Sequence, residues 1–108
     1  MKTIKGIFFS ILLIFTASVS AATVQTGIEV LRADGFKLLE GKRVGLTTNP
    51  TGVDSNLKST IDILWEAENV NLVALYGPEH GVRGNVHAGD VVDNEVDKKT
   101  GLKMYSLY

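Results

Sequence analysis

A chain of 108 residues with 11 basic and 12 acidic side chains carries a formal charge of −1, and 44% of its residues are hydrophobic. That balance supplies no electrostatic footprint for nucleic acid and no polybasic face for an anionic membrane. Cysteine is absent, so disulfide stapling and thiolate metal ligation are excluded and stability must come from an apolar core.

Lys2 and Lys5 precede an apolar run from Gly6 to Phe15, and small residues follow through "TASVSAA". Basic, then apolar, then small is the layout of a secretory signal peptide, with cleavage expected after Ala21 or Ala22. The run falls short of the about 20 apolar residues that a membrane-spanning helix requires. No Cys follows it to accept a lipid anchor. Residues 1–21 therefore read as a signal peptide and residues 22–108 as one unit, secreted or periplasmic, with no stable membrane insertion after cleavage. Loss of the two lysines moves the formal charge from −1 to −3.

From Thr26 to Ala33 the spacing of Ile28, Val30 and Leu31 predicts a short amphipathic helix, stopped at Gly35. A turn at Glu40 and Gly41 leads into "KRVGLTTN", where Val44 and Leu46 alternate with other residues as in a strand. "PTGVDSN" has the composition of a loop. Ser59 followed by Asp62 resembles a capping box, and Ile61, Leu64 and Trp65 share one face of a helix expected over residues 59–67. "VNLVALY" then has the continuous apolar character of a strand buried on both faces. Strand, helix, strand implies a crossover between parallel strands and an α/β layered architecture. "TTNPTG" and "GPEHG" would then lie on the same edge of the sheet, the edge where open α/β sheets bind ligands, and should converge. The acid-rich "HAGDVVDNEVDKKTG" reads as a long exposed loop. "LKMYSLY" reads as a strand that stops without a turn or closing helix, as in an incomplete domain.

The polar loops carry the candidate chemistry. Glu79, between Pro78 and His80, could be desolvated enough to act as a general acid, or could be a solvated turn carboxylate. His80 could orient Glu79 or bind substrate, or simply bond to the backbone. With His87 and Asp90, His80 could also suggest metal ligation, although the spacing matches no zinc signature. Arg83 has a fork suited to a ligand carboxylate or phosphate; the alternative is an ion pair with Asp90, Asp93 or Glu95. Gly77, Gly81 and Gly84 form no phosphate-binding fingerprint. Thr48 and Asn49 are candidates for hydrogen bonds to a sugar, and Asn49 could equally be a turn residue before Pro50.

"VGLTTNPTGVD", "LVALYGPEHGVRG", "AGD" and "TGLKMYSLY", in this order and spacing, resemble the N-terminal portion of the exo-β-N-acetylmuramidase family from about Gly27 to Tyr108. Val82 replaces the family's usual Phe, Asp90 a usual Glu and Lys103 a common Pro. The resemblance implies a Rossmann-like parallel sheet with flanking helices, incomplete in this chain, and a smaller C-terminal domain in the full-length protein with the cleft between them. It further implies an exported glycoside hydrolase that releases N-acetylmuramic acid from the non-reducing ends of peptidoglycan-derived muropeptides or disaccharides, without cofactor or metal. The family's acid falls on Glu79, with His80 beside it, and Asn49 and Arg83 fall on positions lining the site. Arg83 would pair with the lactyl carboxylate. Asp90 or Asp93 could be a second carboxylate, unless the substrate's own acetamido group attacks. The alternatives are a non-catalytic fragment that binds envelope glycan and a metal-dependent hydrolase using His80 and His87.

Overall fold

The computed structural model describes residues 22–78, 80–84 and 95–107. The signal-peptide assignment, Glu79, His87, Asp90 and Asp93 lie outside the described residues. Among those described, helix α1 (Gly27–Ala33), a 3-10 turn (Lys37–Leu39), strand β1 (Arg43–Thr47), helix α2 (Thr60–Glu66) and strands β2 (Asn71–Gly77), β3 (Glu95–Val96) and β4 (Lys103–Ser106) follow in order. The sheet order is β1-β2-β4-β3. β2 runs parallel to both β1 and β4, and β3 pairs antiparallel with β4. This is the expected α/β architecture with a mostly parallel sheet, partial in this chain.

Local chemistry explains the helix ends. At the start of α1 the Glu29 carboxylate reaches back to accept the Thr26 N–H at 2.7 Å and the Thr26 hydroxyl at 2.8 Å, satisfying a backbone donor that the helix itself leaves unpaired. At its end, Gly35 N–H bonds to Arg32 C=O and Phe36 N–H to Leu31 C=O. This crossed pair closes the helix and requires the left-handed backbone that Gly35 adopts at φ +69. Phe36 is thereby turned into the core, with Leu31 packed against the same cluster.

Helix α2 departs from the expected capping box. Ser59 caps it, its Oγ accepting the Ile61 N–H at 3.2 Å. Asp62, however, points away from the helix start and is buried with other partners. The apolar face also differs from the expected one. Ile61, Ile63 and Leu64 are buried, whereas Trp65 is 44% exposed. Val30 of α1 is likewise exposed, and Ile28 and Leu31 provide the contacts with the core.

Alternation along the strands divides the sheet. Val44, Leu46, Leu72 and Leu75 join Phe36, Ile61, Ile63, Leu64 and Val82 in one cluster, to which residues of both helices contribute. The register pairs Val44 with Leu72 and Leu46 with Leu75, with a shift between Val44 and Gly45 that gives β2 one extra residue there; that irregularity lets Leu72 and Leu75, three positions apart, both reach the cluster. On the other face the Tyr76 ring lies over Gly45 and stacks on Tyr105, centroids 5.3 Å apart. A transfer free energy of roughly 1.5–3 kcal/mol per fully buried apolar side chain makes this cluster the main source of stability.

The described part of the segment read as a long exposed loop, residues 95–101, contains a strand and a turn. Within "EVDKKTG", β3 pairs with β4, and Asp97 and Thr100 are buried. The Asp97 Oδ2 accepts the Thr100 N–H at 3.0 Å and its hydroxyl at 2.7 Å, closing a tight turn into β4.

Candidate active site

Parallel pairing of β1 and β2 places the loops that follow them at the same, carboxyl edge of the sheet, and the loops meet there. Thr48 N–H donates to Tyr76 C=O at 3.0 Å, holding the first loop at the end of β2. Gly84, at φ +76, is packed so closely on Pro50 that a Cβ there would come within 3.0 Å of the proline Cγ. The loop after β1 and the loop after β2 therefore meet at this edge, the contacts falling on Tyr76 and Gly84, which flank "GPEHG".

The first loop is braced mainly by bonds to its own backbone. Asn49 Oδ1 accepts the Thr51 N–H at 3.1 Å and the Thr51 hydroxyl at 2.8 Å, so its carbonyl end serves the turn, as the alternative reading allowed. Thr48 is half-buried at the end of β1 and Asn49 is exposed. Asp54, 3% exposed, accepts the N–H groups of Asn56 and Lys58, each at 2.9 Å, and pairs with Arg32 of α1 at 2.9 Å. Those bonds, the Lys58 N–H first, hold the Asp54 carboxyl below the usual range. Glu29, at about 2, is lowered chiefly by its hydrogen bond from the Ser55 hydroxyl, which ties α1 to the same loop.

In the second loop His80 is exposed, on a turn in which Gly81 N–H bonds to Pro78 C=O at 2.9 Å. Immediately after it, Gly81 and Val82 fold back against Gly77. Val82 is 2% exposed and belongs to the core cluster. The position at which the resemblance found Val in place of a usual Phe is thus a core position.

Among the described residues, Arg83 meets Asp97 and Asp62. Its Nε donates to Asp97 Oδ1 at 2.6 Å and its Nη2 to Asp97 Oδ2 at 3.0 Å, and Nη2 also reaches Asp62 Oδ1 at 2.9 Å. The other oxygen of Asp62 accepts from Lys99 at 2.6 Å. Two carboxylates and two cations balance. Arg83 holds Asp97 down at about 2 and is itself raised by Asp97 first and Asp62 second. Burial pushes the Asp62 carboxyl up, but Lys99 and Arg83 together outweigh it and leave it lowered. Among the described residues the ion pair is therefore with Asp97 and Asp62 and not with Glu95, and it commits the Nε and Nη2 edge of the guanidinium; Asp90 and Asp93 lie outside the described residues.

The sequence reading did not single out Asp54, Asp62 as an ion-pair partner, Asp97, Lys99 or Thr100. "DKKT" at 97–100 held the one usable signal, since Asp followed three residues later by Thr can close a turn on its own side chain. Nothing local links Asp62 to Arg83, 21 positions away. Among the described residues no group of three His, Asp or Glu is placed to hold a metal ion.

Fold and loops together define an α/β protein whose two glycine-bearing polar loops share the ligand edge of a parallel sheet. The chain belongs to the exo-β-N-acetylmuramidase NamZ family, whose N-terminal family model matches residues 44–108. It is 58% identical over 85 residues to the peptidoglycan β-N-acetylmuramidase NamZ of Bacillus subtilis strain 168, covering 79% of this chain and 20% of that protein. It also matches the crystal structure of a DUF1343 family protein from Bacteroides fragilis NCTC 9343, with a TM-score of 0.69 and 70% identity over 78% of this chain and 20% of that one. The chain thus spans about a fifth of the length of these relatives.

Proposed function

We propose that this chain is the N-terminal part of a secreted or periplasmic glycoside hydrolase that removes terminal N-acetylmuramic acid from the non-reducing ends of peptidoglycan fragments. The observation that carries the reading is the 58% identity to a peptidoglycan β-N-acetylmuramidase across the segment that contains both edge loops. The meeting of those loops through Gly84 and Pro50 supports it, because a disaccharide end needs groups from more than one loop to orient it.

In this proposal Glu79 is the general acid. Its proton passes to the glycosidic oxygen as the bond from that oxygen to C1 breaks, so the leaving sugar departs as an alcohol rather than an alkoxide. The acetamido carbonyl oxygen of the same N-acetylmuramic acid attacks C1 and carries the positive charge. Water then adds at C1 and loses its proton to the Glu79 carboxylate, which restores both the acid and the acetamide. A carboxylate from Asp90 or Asp93 is the other way to meet the charge at C1. His80 adjoins the acid on the exposed turn, and Thr48 and Asn49 offer hydroxyl and amide groups to the sugar from the facing loop.

The test is turnover of a chromogenic β-N-acetylmuramide by the full-length protein and its Glu79→Gln variant. Loss of a general acid is expected to reduce kcat by about 10²–10⁴-fold. Unchanged turnover in the variant would remove Glu79 from that role.

A further inference from the structure

The loop after β2 contains three glycines within eight residues, Gly77, Gly81 and Gly84, and glycine surrenders more backbone freedom on ordering than any other residue. Left to local bonds, such a loop would sample many positions. Yet a general acid has to be held within a narrow range of its target, because a displacement of 1 Å can cost about 10²-fold in rate. Something must fix the loop.

Residues 81–84 carry that fixation in succession. Val82 enters the core, Arg83 enters the ion cluster, and Gly84 lies on Pro50. Arg83 is the member with reach. Its side-on, two-bond pairing with Asp97 joins the loop to the turn that feeds β4, and its bond to Asp62 joins it to the first turn of α2. Asp97 is itself held by the Thr100 N–H and hydroxyl. Asp62 is held by Lys99, two residues beyond Asp97. The guanidinium therefore binds to carboxylates whose own positions are set, so the constraint is passed to the loop rather than absorbed by a mobile partner. Planarity matters here: two parallel N–H bonds define an orientation, and a point-charge ammonium defines only a distance.

We propose that Arg83 is a positioning residue, fixing the loop that carries Glu79 through Asp97 and Asp62 rather than by touching substrate. The proposal rests on the hydrolase reading for its kinetic consequence and on the ion cluster alone for its structural one, so the two can fail separately.

In the full-length protein, Arg83→Lys, Asp97→Asn and the double variant are compared with wild type on a chromogenic β-N-acetylmuramide, alongside amide hydrogen exchange. Each single variant is expected to lower kcat by roughly 10–100-fold, with KM held within about twofold, as befits misplacement of a reacting group. The double variant should be little worse than the poorer single one, since both break the same link. Exchange at residues 80–84 and 97–101 should accelerate together, while α1 retains its protection and reports an intact fold. A raised KM with unchanged kcat in Arg83→Lys, combined with a silent Asp97→Asn, would show Arg83 acting on substrate and overturn the proposal. If wild type itself releases no N-acetylmuramic acid, the hydrolase reading falls, and the exchange pattern still decides the clamp: unchanged exchange at residues 80–84 in Arg83→Lys overturns it.

Discussion

The two loops at the carboxyl edge of the sheet are both polar and rich in turn residues, but they differ in how they are held. The loop after β1 closes largely on itself, Asn49 bonding to Thr51 and Asp54 to Asn56 and Lys58, and its distant ties, Arg32 to Asp54 and Ser55 to Glu29, run only to α1 and involve exposed or half-exposed partners. The loop after β2 is anchored at a distance, through Arg83 to Asp97 and Asp62, 14 and 21 positions away. Local bonds suit a loop that has only to present hydroxyl and amide groups. Long-range bonds tie a loop to the rest of the fold, so its position is as well defined as the sheet and helix that hold it.

Breaking the distant anchor should therefore cost far more than breaking a local one. Arg83→Ala leaves Asp97, whose side chain is 3% exposed, and Asp62, at 12%, facing each other with only Lys99 to compensate. Removal of one member of a buried ion pair costs roughly 3–5 kcal/mol, to be read as a shift of the urea midpoint in equilibrium unfolding. Ser59→Ala removes the α2 cap at the end of the loop after β1 and should cost about 1 kcal/mol by the same measurement. Asp54→Asn keeps an acceptor oxygen for the Asn56 and Lys58 N–H groups but sets an amide NH2 against the Arg32 N–H in place of the oxygen that accepted it; the half-exposed Arg32 can turn to water, so the effect should stay well below that of Arg83→Ala. A ranking in which Asp54→Asn rivals Arg83→Ala would dissolve the contrast.

Acid sharpens the same comparison. The Asp97 carboxyl is held at about 2 in the folded chain by Arg83 first, against about 3.9 for an unfolded aspartate. A depressed folded value means the unfolded state takes up its proton first as pH falls. The stabilisation is thus complete above about pH 4 and is lost between about pH 4 and pH 2. The melting temperature of wild type should fall across that window, and the Asp97→Asn profile should be flatter there. Asp62 and Asp54, also lowered, contribute in the same direction, so the residual slope of the Asp97→Asn profile belongs to them and to Glu29.

Legibility followed the same division between local and distant. Both helices, β1, β2, β4 and the meeting of the two edge loops were readable because apolar spacing and turn composition are local signals. The strand-helix-strand order then determined which loops share an edge. Trp65 and Val30 were misplaced because a seven-residue helix leaves its apolar face ambiguous by one position, and packing against the sheet chose Ile63 instead. Asp62 has the residue type and spacing of a capping group, but a guanidinium from a distant loop offered a stronger, charge-assisted bond than a backbone N–H. Asp97 and Thr100 were hidden in an acidic stretch whose composition suggests solvent. Their burial follows from Arg83, and that pairing is a fact of tertiary structure.

The reading of this chain as part of an exo-acting muramidase is tested most directly by product analysis. The full-length protein would be incubated with a short peptidoglycan glycan ending in N-acetylmuramic acid at its non-reducing end, and the products followed by mass spectrometry. The account predicts free N-acetylmuramic acid and a glycan shortened by that one sugar, with no internal fragments. Internal cleavage, or an unaltered glycan under conditions where the protein is folded, would contradict it.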